Sequence, residues 1–534
     1  MQIDVTPRPA ASAQSGYEVI DWVGYHAAVK PSAIAMRELP SGRVQTYGGM
    51  HIRVGKIAAG LRVRGVEAGD RVAFLMPNSS DIMDLTFAVW RLGGVVLALN
   101  HRLSAQELGF ILNDAGAQVV VHDASLSELV SEIDAPAVTD WIASNGDGSD
   151  SPFEAAIASQ STPVSDRIPQ HLQDQCMLMY SSGTTGRPKG VIITHGMIHF
   201  SASGSFGPCR TSSNSVSLAA MPLFHIAAMN VSCLPMFSIG ATSIIMRAFE
   251  PEAVLTAISN PELGVTHTFA VPAAFNALRE SASAETSDFS RLVTVISGAE
   301  TVPEPLVKWW ADRGVQILEG YGLTETASAG CLLPHADVGR KHGSTGMPTM
   351  YGPMKIMKDE MTEAGADELG EIWVRGPVVT PGYWNLPEAT AEAFYDGWFR
   401  TGDIGRKDTE GYLYIEDRLK DMYISGGENV YPAEVENVLY EHAAIVEAAI
   451  IGVPDKRWGE VGCAVVVLRP DIPFDAAEIE TLCEGKLARF KRPAHVVLLD
   501  ALPRNGTGKV LKHELRKIVE SGEVRYSETL GRKQ

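Results

Sequence analysis

The chain has 534 residues, 45% of them hydrophobic and 20% charged, and a formal net charge of −19. This length exceeds one ordinary hydrophobic core, so we expect two or more domains. The negative charge argues against a nucleic-acid partner, whose phosphates the protein would repel. The sequence contains neither an apolar run of membrane-span length nor a signal peptide, and its six cysteines are scattered without Cys-x-x-Cys spacing. We therefore expect a cytoplasmic protein with reduced thiols, no membrane span and no zinc site.

Short apolar runs rich in Val, Ile and Leu alternate with amphipathic segments of helix length, which is typical of α/β architecture. Strands are predicted near 72–76, 95–99, 119–121, 242–246, 266–271 and 293–297. Ser104, followed by Glu107 at the third position after it, predicts a capping box at the start of a helix. The segment 144–165 is rich in Ser, Asp, Gly and Pro, and predicts a solvated loop.

Residues 180–190 form a loop of hydroxyl residues, glycines and cations, Tyr-Ser-Ser-Gly-Thr-Thr-Gly-Arg-Pro-Lys-Gly, between two predicted strands. Its backbone N–H groups, its hydroxyls, Arg187 and Lys189 can surround phosphate groups. The Gly and Lys spacing of a Walker loop is absent. On its composition alone, the segment could also be a solvated hairpin, although phosphate binding is the favoured interpretation.

Residues 319–326, Glu-Gly-Tyr-Gly-Leu-Thr-Glu-Thr, bring an aromatic ring, hydroxyls and a carboxylate into one glycine-flanked turn. Such a turn can stack on a base, contact a phosphate and bind Mg²⁺ through Glu325, since Mg²⁺ prefers one or two carboxylates with phosphate oxygens. A helix N-terminus capped by Thr324 is the alternative. Further along, Asp403 can accept hydrogen bonds from ribose hydroxyls, although Asp is also common in turns.

Two segments near the C-terminus add charge and glycine. Residues 417–429 form a charged joint followed by Ser-Gly-Gly-Glu-Asn, and we place there the boundary between domains 1–417 and 418–534. Residues 503–509, Pro-Arg-Asn-Gly-Thr-Gly-Lys, present Lys509 on a glycine loop, where its charge can meet developing negative charge on phosphate. Taken alone, the two segments could be an exposed linker and a solvated lysine loop.

In this order, the motifs resemble those of the adenylate-forming superfamily, which includes acyl-CoA synthetases, aryl-CoA ligases, luciferases and peptide-synthetase adenylation domains. The resemblance covers residues 45–515. Its carriers are YSSGTTGRPKGV at 180–191, PLFH at 222–225, SGAE at 297–300, YGLTET at 321–326, GEIWVRGP at 370–377, GWFRTGD at 397–403, DRLKDMYISGGENVYPAEVE at 417–436 and PRNGTGKV at 503–510. The resemblance implies a mixed α/β fold, with a large N-terminal domain of parallel-type sheets flanked by helices and a β-barrel-like subdomain. A small, mobile α+β domain follows at the C-terminus.

The resemblance also implies two half-reactions. A carboxylate attacks the α-phosphate of ATP, bound with Mg²⁺, to give an acyl-adenylate and pyrophosphate, and the thiol of coenzyme A then displaces AMP. Thr324 would contact the α-phosphate, Glu325 would bind Mg²⁺, and Lys509 would bridge the carboxylate and the α-phosphate. The residues assigned to the β and γ phosphates are Ser181, Ser182, Gly183, Thr184, Thr185, Gly186 and Lys189.

Further nucleotide and coenzyme A contacts follow from the same resemblance. Tyr321 would lie against adenine, while Asp403 and Arg418 would anchor the ribose. Lys420 matches the hinge about which the small domain rotates for thiolation, and that rotation would bring Gly426 and Gly427 to the pantetheine tunnel. The remaining cofactor-binding candidates are Gly298, Ala299, Glu300, Glu319, Gly320, Gly322, Glu428 and Trp458.

The acid is less well defined by the sequence. Phe224-His225 stands where peptide-synthetase domains carry Phe-Asp, so an amino-acid substrate is not expected, and His225 matches a position at the mouth of the carboxylate pocket in aryl- and fatty-acid relatives. Pocket walls are expected to be mostly small or apolar, which suits either a medium- or long-chain fatty acid or a cinnamate-like acid such as ferulate. The predicted walls are Met229, Asn230, Phe269, Ala270, Val271, Pro272, Gly298, Ala299, Gly320 and Ala327.

Three alternatives to an acyl-CoA synthetase stay open. A luciferase-like oxygenase and an acyl-AMP ligase would form the same adenylate, whereas a non-catalytic nucleotide sensor would release no pyrophosphate. The intact Ser-Gly-Gly-Glu-Asn loop at 425–429 favours coenzyme A as the acceptor. The prevalence of symmetric dimers favours a homodimer.

Overall fold

The computed structural model describes residues 17–181, 188–300, 302–328, 330–418, 421–425, 428–455, 458–484, 486–504, 510–521 and 526–529. The α-helices within these residues are α1 (Trp22–Val29), α2 (Tyr47–Val63), α3 (Ser80–Arg91), α4 (Ala105–Ala115), α5 (Ser127–Ser131), α6 (Pro152–Ala158), α7 (His195–Ser205), α8 (Leu234–Ile239), α9 (Pro251–Ser259), α10 (Pro272–Glu280), α11 (Glu304–Ala311), α12 (Pro387–Glu392), α13 (Pro432–Leu439), α14 (Ala477–Cys483) and α15 (Lys512–Ser521). A π-helical segment, Ala228–Cys233, leads directly into α8.

The strands form three sheets. Those up to residue 332 are β1 (Ile34–Leu39), β2 (Val44–Thr46), β3 (Arg71–Leu75), β4 (Val95–Leu99), β5 (Val119–Asp123), β6 (Asp140–Ser144), β7 (Gln175–Ser181), β8 (Lys189–Thr194), β9 (Val216–Ala219), β10 (Thr242–Met246), β11 (His267–Ala270), β12 (Thr294–Gly298), β13 (Ile317–Tyr321) and β14 (Cys331–Leu332). The later strands are β15 (Ser344–Pro348), β16 (Met354–Met357), β17 (Gly370–Val374), β18 (Phe394–Tyr395), β19 (Trp398–Lys407), β20 (Leu413–Arg418), β21 (Tyr423–Ser425), β22 (Glu428–Val430), β23 (Ile445–Asp455), β24 (Gly459–Leu468), β25 (His495–Leu498) and β26 (Tyr526–Thr529).

The first sheet has the order β6-β5-β3-β4-β7-β8 and is parallel except for the edge strand β8. Both of its faces are buried, because alternate residues of β3 join different hydrophobic clusters: Val72 and Phe74 on one side, Ala73 and Leu75 on the other. Burial on both faces explains the continuous apolar runs from which these strands were predicted. The strand predictions near 72, 95 and 119 are confirmed.

The second sheet begins as a parallel core and continues as antiparallel strands. Its order is β16-β17-β19-β20-β15-β14-β13-β12-β11-β9-β10-β1-β2, with β18 paired to β19. The run β13-β12-β11-β9-β10-β1 is parallel, and the strands β15, β20, β19, β17 and β16 continue the sheet antiparallel. A β-barrel-like subdomain stays a prediction. Helix α3 is buried along its whole length and joins the hydrophobic cluster shared by both sheets.

The third sheet is built from the C-terminal strands in the order β22-β21-β24-β25-β26, with β23 paired to β24. It forms its own hydrophobic cluster with α13 and α14. The predicted mixed α/β class, with a large N-terminal sheet region and a small C-terminal one, is confirmed. The domain boundary at 417/418 and the mobility of the small domain stay predictions.

The sequence correctly predicted the start of helix α4 but not helix α6. The capping box of α4 is present, with Ser104 Oγ accepting from the Glu107 N–H and Glu107 Oε2 accepting from the Ser104 N–H at 2.8 Å. The loop predicted over 144–165 is wrong in part, because it contains helix α6. The Ser151 side chain caps α6, and the helix buries Phe153 and Ile157. No helix in the described part of the chain is both long and apolar enough to cross a membrane.

Candidate active site

The candidate site lies at the carboxyl ends of β12 and β13, the edge of a parallel sheet where ligands usually bind. Gly298 and Gly320 are register partners there, and a Cβ atom on Gly298 would lie 2.6 Å from the Gly320 carbonyl oxygen. Only glycine allows the two backbones to approach this closely. Ala299 then adopts φ +74°, a left-handed conformation rare for residues with a side chain and concentrated at functional sites.

Residues 322–328 form a tight turn after β13. Gly322 is required, since a Cβ atom there would lie 2.4 Å from the Ser328 carbonyl oxygen. Thr324, Glu325 and Thr326 form one 3₁₀ turn, after which Ala327 and Ser328 are left-handed. Two residues outside the turn stabilise this conformation. The Ala327 carbonyl oxygen accepts hydrogen bonds from Asn230 Nδ2 at 2.6 Å and Ser201 Oγ at 2.9 Å. Segments distant in sequence thus fix the turn that carries Thr324 and Glu325.

Glu325 lies beside an aromatic residue that the sequence did not single out. The Tyr383 hydroxyl donates to Glu325 Oε1 at 3.0 Å, and Lys189 Nζ lies 5.1 Å from the centre of the Tyr383 ring. Lys189 is the register partner of Ser181 across the β7–β8 hairpin. The structure therefore brings together the carboxylate predicted to bind Mg²⁺ and two ends of the predicted phosphate loop. No local signal in the sequence marks Tyr383, which follows Gly382 in a loop.

Tyr321 and Asp403 form a hydrogen-bonded pair. The Tyr321 hydroxyl donates to Asp403 Oδ2 at 2.7 Å, and Asp403 is only 4% exposed. Burial, and then the negative charge of Asp403, raises the pKa of the Tyr321 hydroxyl, which therefore keeps its proton. Asp403 and Arg418 are register partners on the adjacent strands β19 and β20, so the backbones of these two predicted ribose contacts lie side by side.

Glu319 and Glu300 have contrasting surroundings. Burial raises the pKa of Glu319 to about 8, although backbone N–H groups of Val302 and Gly343 act in the opposite direction. Glu300 instead contacts the C-terminal part of the chain: its Oε1 accepts from the Val510 N–H at 3.0 Å, and Arg504 lies at 3.4 Å. Arg504 and Val510, on either side of the segment 505–509, therefore both contact Glu300 in the loop that follows β12.

Two cavities meet at this edge of the sheet. One of about 200 Å³ extends between β11, β12, α7 and the π-helical segment, and His225 is among its lining residues. The other, also about 200 Å³, is lined by Glu300, Glu319, Asp403 and residues of α13 with Val510 and Lys512. They share Ala299, Gly320, Tyr321, Gly322 and Leu323.

Five of the ten predicted pocket walls line the first cavity, namely Asn230, Phe269, Gly298, Ala299 and Gly320. The lining combines apolar residues such as Ile226, Val231 and Met236 with small ones, as expected, and many of its side chains carry hydroxyl groups. These are Ser201, Ser205, Thr211, Ser217, Ser232, Thr268, Thr294, Ser297, Tyr321, Thr324, Ser328 and Thr349. They are brought to one cavity from β9, β11, β12, α7 and loops that lie far apart in the sequence.

The remaining predicted site residues lie away from the two cavities or outside the described residues. The backbone N–H of Trp458, which follows β23, donates to Asp455 Oδ1 at 2.8 Å, and Trp458 lines neither cavity. Glu428 lies in β22 opposite Ser425, but its side chain and that of Arg418 fall outside the described residues. The predictions for Ser182, Gly183, Thr184, Thr185, Gly186, Lys420, Gly426, Gly427 and Lys509 also fall outside them. Within the described residues, no group of three or more His, Cys, Asp or Glu side chains could hold a metal ion.

Comparison with known proteins gives a consistent result. A model of the AMP-binding enzyme family matches residues 24–384, and one of the AMP-binding enzyme C-terminal domain matches residues 434–509. The chain is 40% identical over 496 residues to a feruloyl-CoA synthase of an Amycolatopsis species, covering 93% of this chain and 98% of that protein. It is 39% identical over 498 residues to the long-chain-fatty-acid–CoA ligase FadD13 of Mycobacterium tuberculosis, covering 92% and 96%.

A solved structure shares the architecture. The o-succinylbenzoate CoA synthetase MenE of Bacillus subtilis, in complex with the acyl-adenylate intermediate OSB-AMP, aligns with a TM-score of 0.85 at 32% identity. The alignment covers 96% of this chain and 99% of that one.

Proposed function

The chain belongs to the AMP-binding enzyme family, and we propose that it is an ATP-dependent acyl-CoA synthetase that activates a carboxylic acid as its acyl-adenylate. The junction of the two cavities at Ala299 and residues 320–323 carries this proposal. One cavity would hold the acid and the other the nucleotide, so that the acid carboxylate meets the α-phosphate where they join. Such positioning accounts for much of the catalysis when two reactants must be brought together.

In the first step, a carboxylate oxygen attacks the α-phosphorus and the bond to pyrophosphate breaks. Both reactants are anions, so the protein must supply positive charge and hydrogen-bond donors. Lys189 and the hydroxyls of the loop that begins at Ser181 would hold the departing phosphates, and Thr324 would donate to the α-phosphate. Lys509 would bridge the two reacting groups.

Glu325 fits a Mg²⁺ ion that is bound mainly through the nucleotide. Mg²⁺ commonly takes one or two protein carboxylates and completes its shell with phosphate oxygens and water. A single carboxylate held by Tyr383 agrees with that arrangement. When bound, the ion would neutralise charge on the phosphates.

The nucleoside would occupy the second cavity. Asp403, oriented by Tyr321, would accept hydrogen bonds from the ribose hydroxyls. In the second step, the thiol sulfur of coenzyme A attacks the acyl carbon, the bond to the AMP oxygen breaks, and the thiol proton is released. Lys420, Gly426, Gly427, Glu428 and Trp458 would serve that step, after rotation of the small domain.

A pyrophosphate-release assay over fatty and aromatic acids, with and without coenzyme A, tests the proposal. The expected result is acid-dependent pyrophosphate release, with acyl-CoA formed when coenzyme A is present. Adenylate formation without transfer to coenzyme A would indicate an acyl-AMP ligase. Emission of light, or consumption of oxygen, would indicate a luciferase-like enzyme. Nucleotide binding without pyrophosphate release for any acid would reject the proposal in favour of a sensor.

A further inference from the structure

The last turn of helix α4 contacts two segments of the proposed phosphate site, although it lines neither of the two cavities. Asp114 makes both contacts. Its Oδ2 accepts a hydrogen bond from the Tyr180 hydroxyl at 2.5 Å, and its backbone carbonyl oxygen accepts one from Trp384 Nε1 at 3.0 Å. Asp114 is 66 residues from Tyr180 and 270 from Trp384 along the chain, so only the fold brings the three together.

The first contact lies at the base of the β7–β8 hairpin. Tyr180 is the register partner of Gly190, and the next pair is Ser181 with Lys189. A Cβ atom on Gly190 would lie 3.0 Å from Tyr180 Cζ and 3.2 Å from Trp384 Cβ, so both side chains pack against its backbone. Burial, and then its hydrogen bond, raises the pKa of the Tyr180 hydroxyl, which therefore keeps its proton and donates. Ser181 and Lys189 thus follow and precede residues that are held in place.

The second contact holds the loop that supports Glu325. The backbone N–H of Trp384 donates to the Gly190 carbonyl oxygen at 2.7 Å. The same loop contacts Glu325 twice: the Thr380 N–H donates to the Glu325 carbonyl oxygen at 2.8 Å, and the Tyr383 hydroxyl donates to Oε1 at 3.0 Å. A displacement of Trp384 would therefore move the groups that orient this carboxylate.

The end of α4 is a firm support for these contacts. Arg71 of β3 donates from Nε to the Ala115 carbonyl oxygen at 2.6 Å and from Nη2 to the Gly116 carbonyl oxygen at 3.1 Å. It thereby satisfies carbonyl groups that a helix C-terminus leaves without intrahelical partners. Its guanidinium carbon also lies 5.5 Å from the centre of the Trp384 ring. Strand β3 is an inner strand of the first sheet, so Asp114 is anchored to a buried layer of the protein.

We propose that Asp114 is a positioning residue for the first half-reaction. Through Tyr180 and Trp384, it fixes the placement of the β7–β8 hairpin relative to Glu325, the two elements proposed to surround the β and γ phosphates of ATP. This inference rests on the proposed synthetase function and adds a residue that contacts no reactant. Because AMP lacks the β and γ phosphates, loss of this positioning should weaken the binding of ATP and not that of AMP.

The test measures the binding of MgATP and of AMP to the full-length protein, without acid, by isothermal titration calorimetry. Tyr180→Phe removes the hydroxyl that donates to Asp114, and Trp384→Phe removes the indole N–H. Each variant should raise the Kd for MgATP by about 3- to 10-fold, as for loss of one hydrogen bond, and leave the Kd for AMP unchanged.

Variants of Asp114 test whether it acts through Tyr180. Asp114→Ala should raise the Kd for MgATP as much as Tyr180→Phe does, and the double variant should bind no more weakly than either single one. Asp114→Asn keeps an acceptor for the hydroxyl and should recover most of the binding. This variant leaves the tyrosine in place, so the test does not depend on the folding of Tyr180→Phe.

Tyr47→Phe is the control for loss of a tyrosine hydroxyl. The Tyr47 hydroxyl donates to the Ala241 carbonyl oxygen at 2.7 Å, and Tyr47 lines neither cavity, so both Kd values should stay unchanged. Equal weakening of MgATP and AMP binding in Tyr180→Phe and Trp384→Phe would overturn the positioning role.

The proposed function is tested separately, because these binding measurements need no turnover. Pyrophosphate release by the unaltered protein, together with unchanged Kd values in the variants, would overturn this inference and leave an acyl-CoA synthetase. Absence of pyrophosphate release with every acid would instead reject the function on which the inference rests.

Discussion

The hydroxyl of Tyr383 donates a hydrogen bond of 3.0 Å to Glu325 Oε1. Burial, and then the charge of Glu325, raises the pKa of this hydroxyl, so Tyr383 remains a donor throughout the physiological pH range. The ring of the same residue lies under Lys189 Nζ. One tyrosine therefore orients the carboxylate proposed to bind Mg²⁺ and contacts the lysine proposed to hold the departing phosphates.

Tyr383→Phe tests the first of these contacts. The ring remains beneath Lys189, but the hydrogen bond that orients Glu325 is lost, so Mg²⁺ should bind less well with the nucleotide. Loss of one support for a metal-binding carboxylate typically costs about 10- to 100-fold in metal affinity or activity. We expect the Mg²⁺ concentration for half-maximal pyrophosphate release to rise at least about tenfold, the low end of that range. An unchanged Mg²⁺ requirement would contradict the assignment of Glu325.

Tyr321→Phe tests the orientation of Asp403. The variant removes the 2.7 Å hydrogen bond but keeps the aromatic ring proposed to lie against adenine. A hydrogen bond to a charged group contributes about 1.5–3 kcal/mol, so the KM for ATP should rise by about tenfold or more while the KM for the acid stays constant.

A second tyrosine–aspartate pair provides the control. The Tyr412 hydroxyl donates to Asp337 Oδ2 at 2.6 Å, and neither residue lines the two cavities of the site. Tyr412→Phe should leave the KM for ATP unchanged. Equal increases in both variants would show that the effect is a general consequence of losing a hydroxyl–carboxylate bond.

The predictable part of the fold rests on local signals. Parallel strands buried on both faces give continuous apolar runs, and the Ser104–Glu107 capping box is complete within four residues. Helix α6 was not predicted, because its surroundings are rich in Ser, Asp and Gly and only Phe153 and Ile157 form its buried face. Two apolar positions are too few to outweigh that composition.

The site was only partly predictable for a related reason. The family motifs predict roles for Tyr321, Glu325 and Asp403, but not the contacts among them or with other residues. Tyr383 is 58 residues from Glu325 along the chain, and only the folded chain brings them together. The first cavity likewise draws its mixture of apolar and hydroxyl-bearing residues from segments far apart in the sequence, so its lining could not be assembled before the fold was known.

Glu319 predicts a dependence of stability on pH. Its pKa is about 8 in the folded protein, whereas an exposed glutamate titrates near about 4.3. The folded state therefore binds a proton that the unfolded state has released between these values. The stability due to this proton is fully present below about pH 4 and is lost as the pH rises through about 8.

Glu319→Gln removes this titration. The Tm of the variant minus that of the unaltered protein should increase, in favour of the variant, by about 2 °C or more between pH 5.5 and pH 8.5, measured by thermal unfolding. Taking the difference cancels other titrating groups, including Glu38, whose pKa burial raises to about 7. Glu304→Gln, the same substitution at an exposed position, is the matched control. A difference that does not change with pH would contradict the raised pKa of Glu319.

Lys509→Ala should separate the two half-reactions. If Lys509 bridges the carboxylate and the α-phosphate, its loss should abolish pyrophosphate release but spare the conversion of a supplied acyl-adenylate and coenzyme A to acyl-CoA. Single-turnover assays of each step provide the measurement. Parallel loss of both steps in a folded variant would remove the assigned role.

Arg504→Ala should give a weaker form of the same separation. Arg504 pairs with Glu447 of β23 at 2.8 Å and with Glu300 at 3.4 Å, and so connects the C-terminal sheet to the loop after β12. Because residues 504 and 510 flank Lys509 and both contact Glu300, this ion pair would help to place the lysine for adenylation.

We expect adenylation in Arg504→Ala to slow by about tenfold, as for loss of one hydrogen bond to a charged group, with little change in thiolation. Arg313→Ala, which breaks an ion pair with Glu285 outside both cavities, should affect neither step. Slower thiolation with normal adenylation in Arg504→Ala would mean that this contact belongs to the second half-reaction instead.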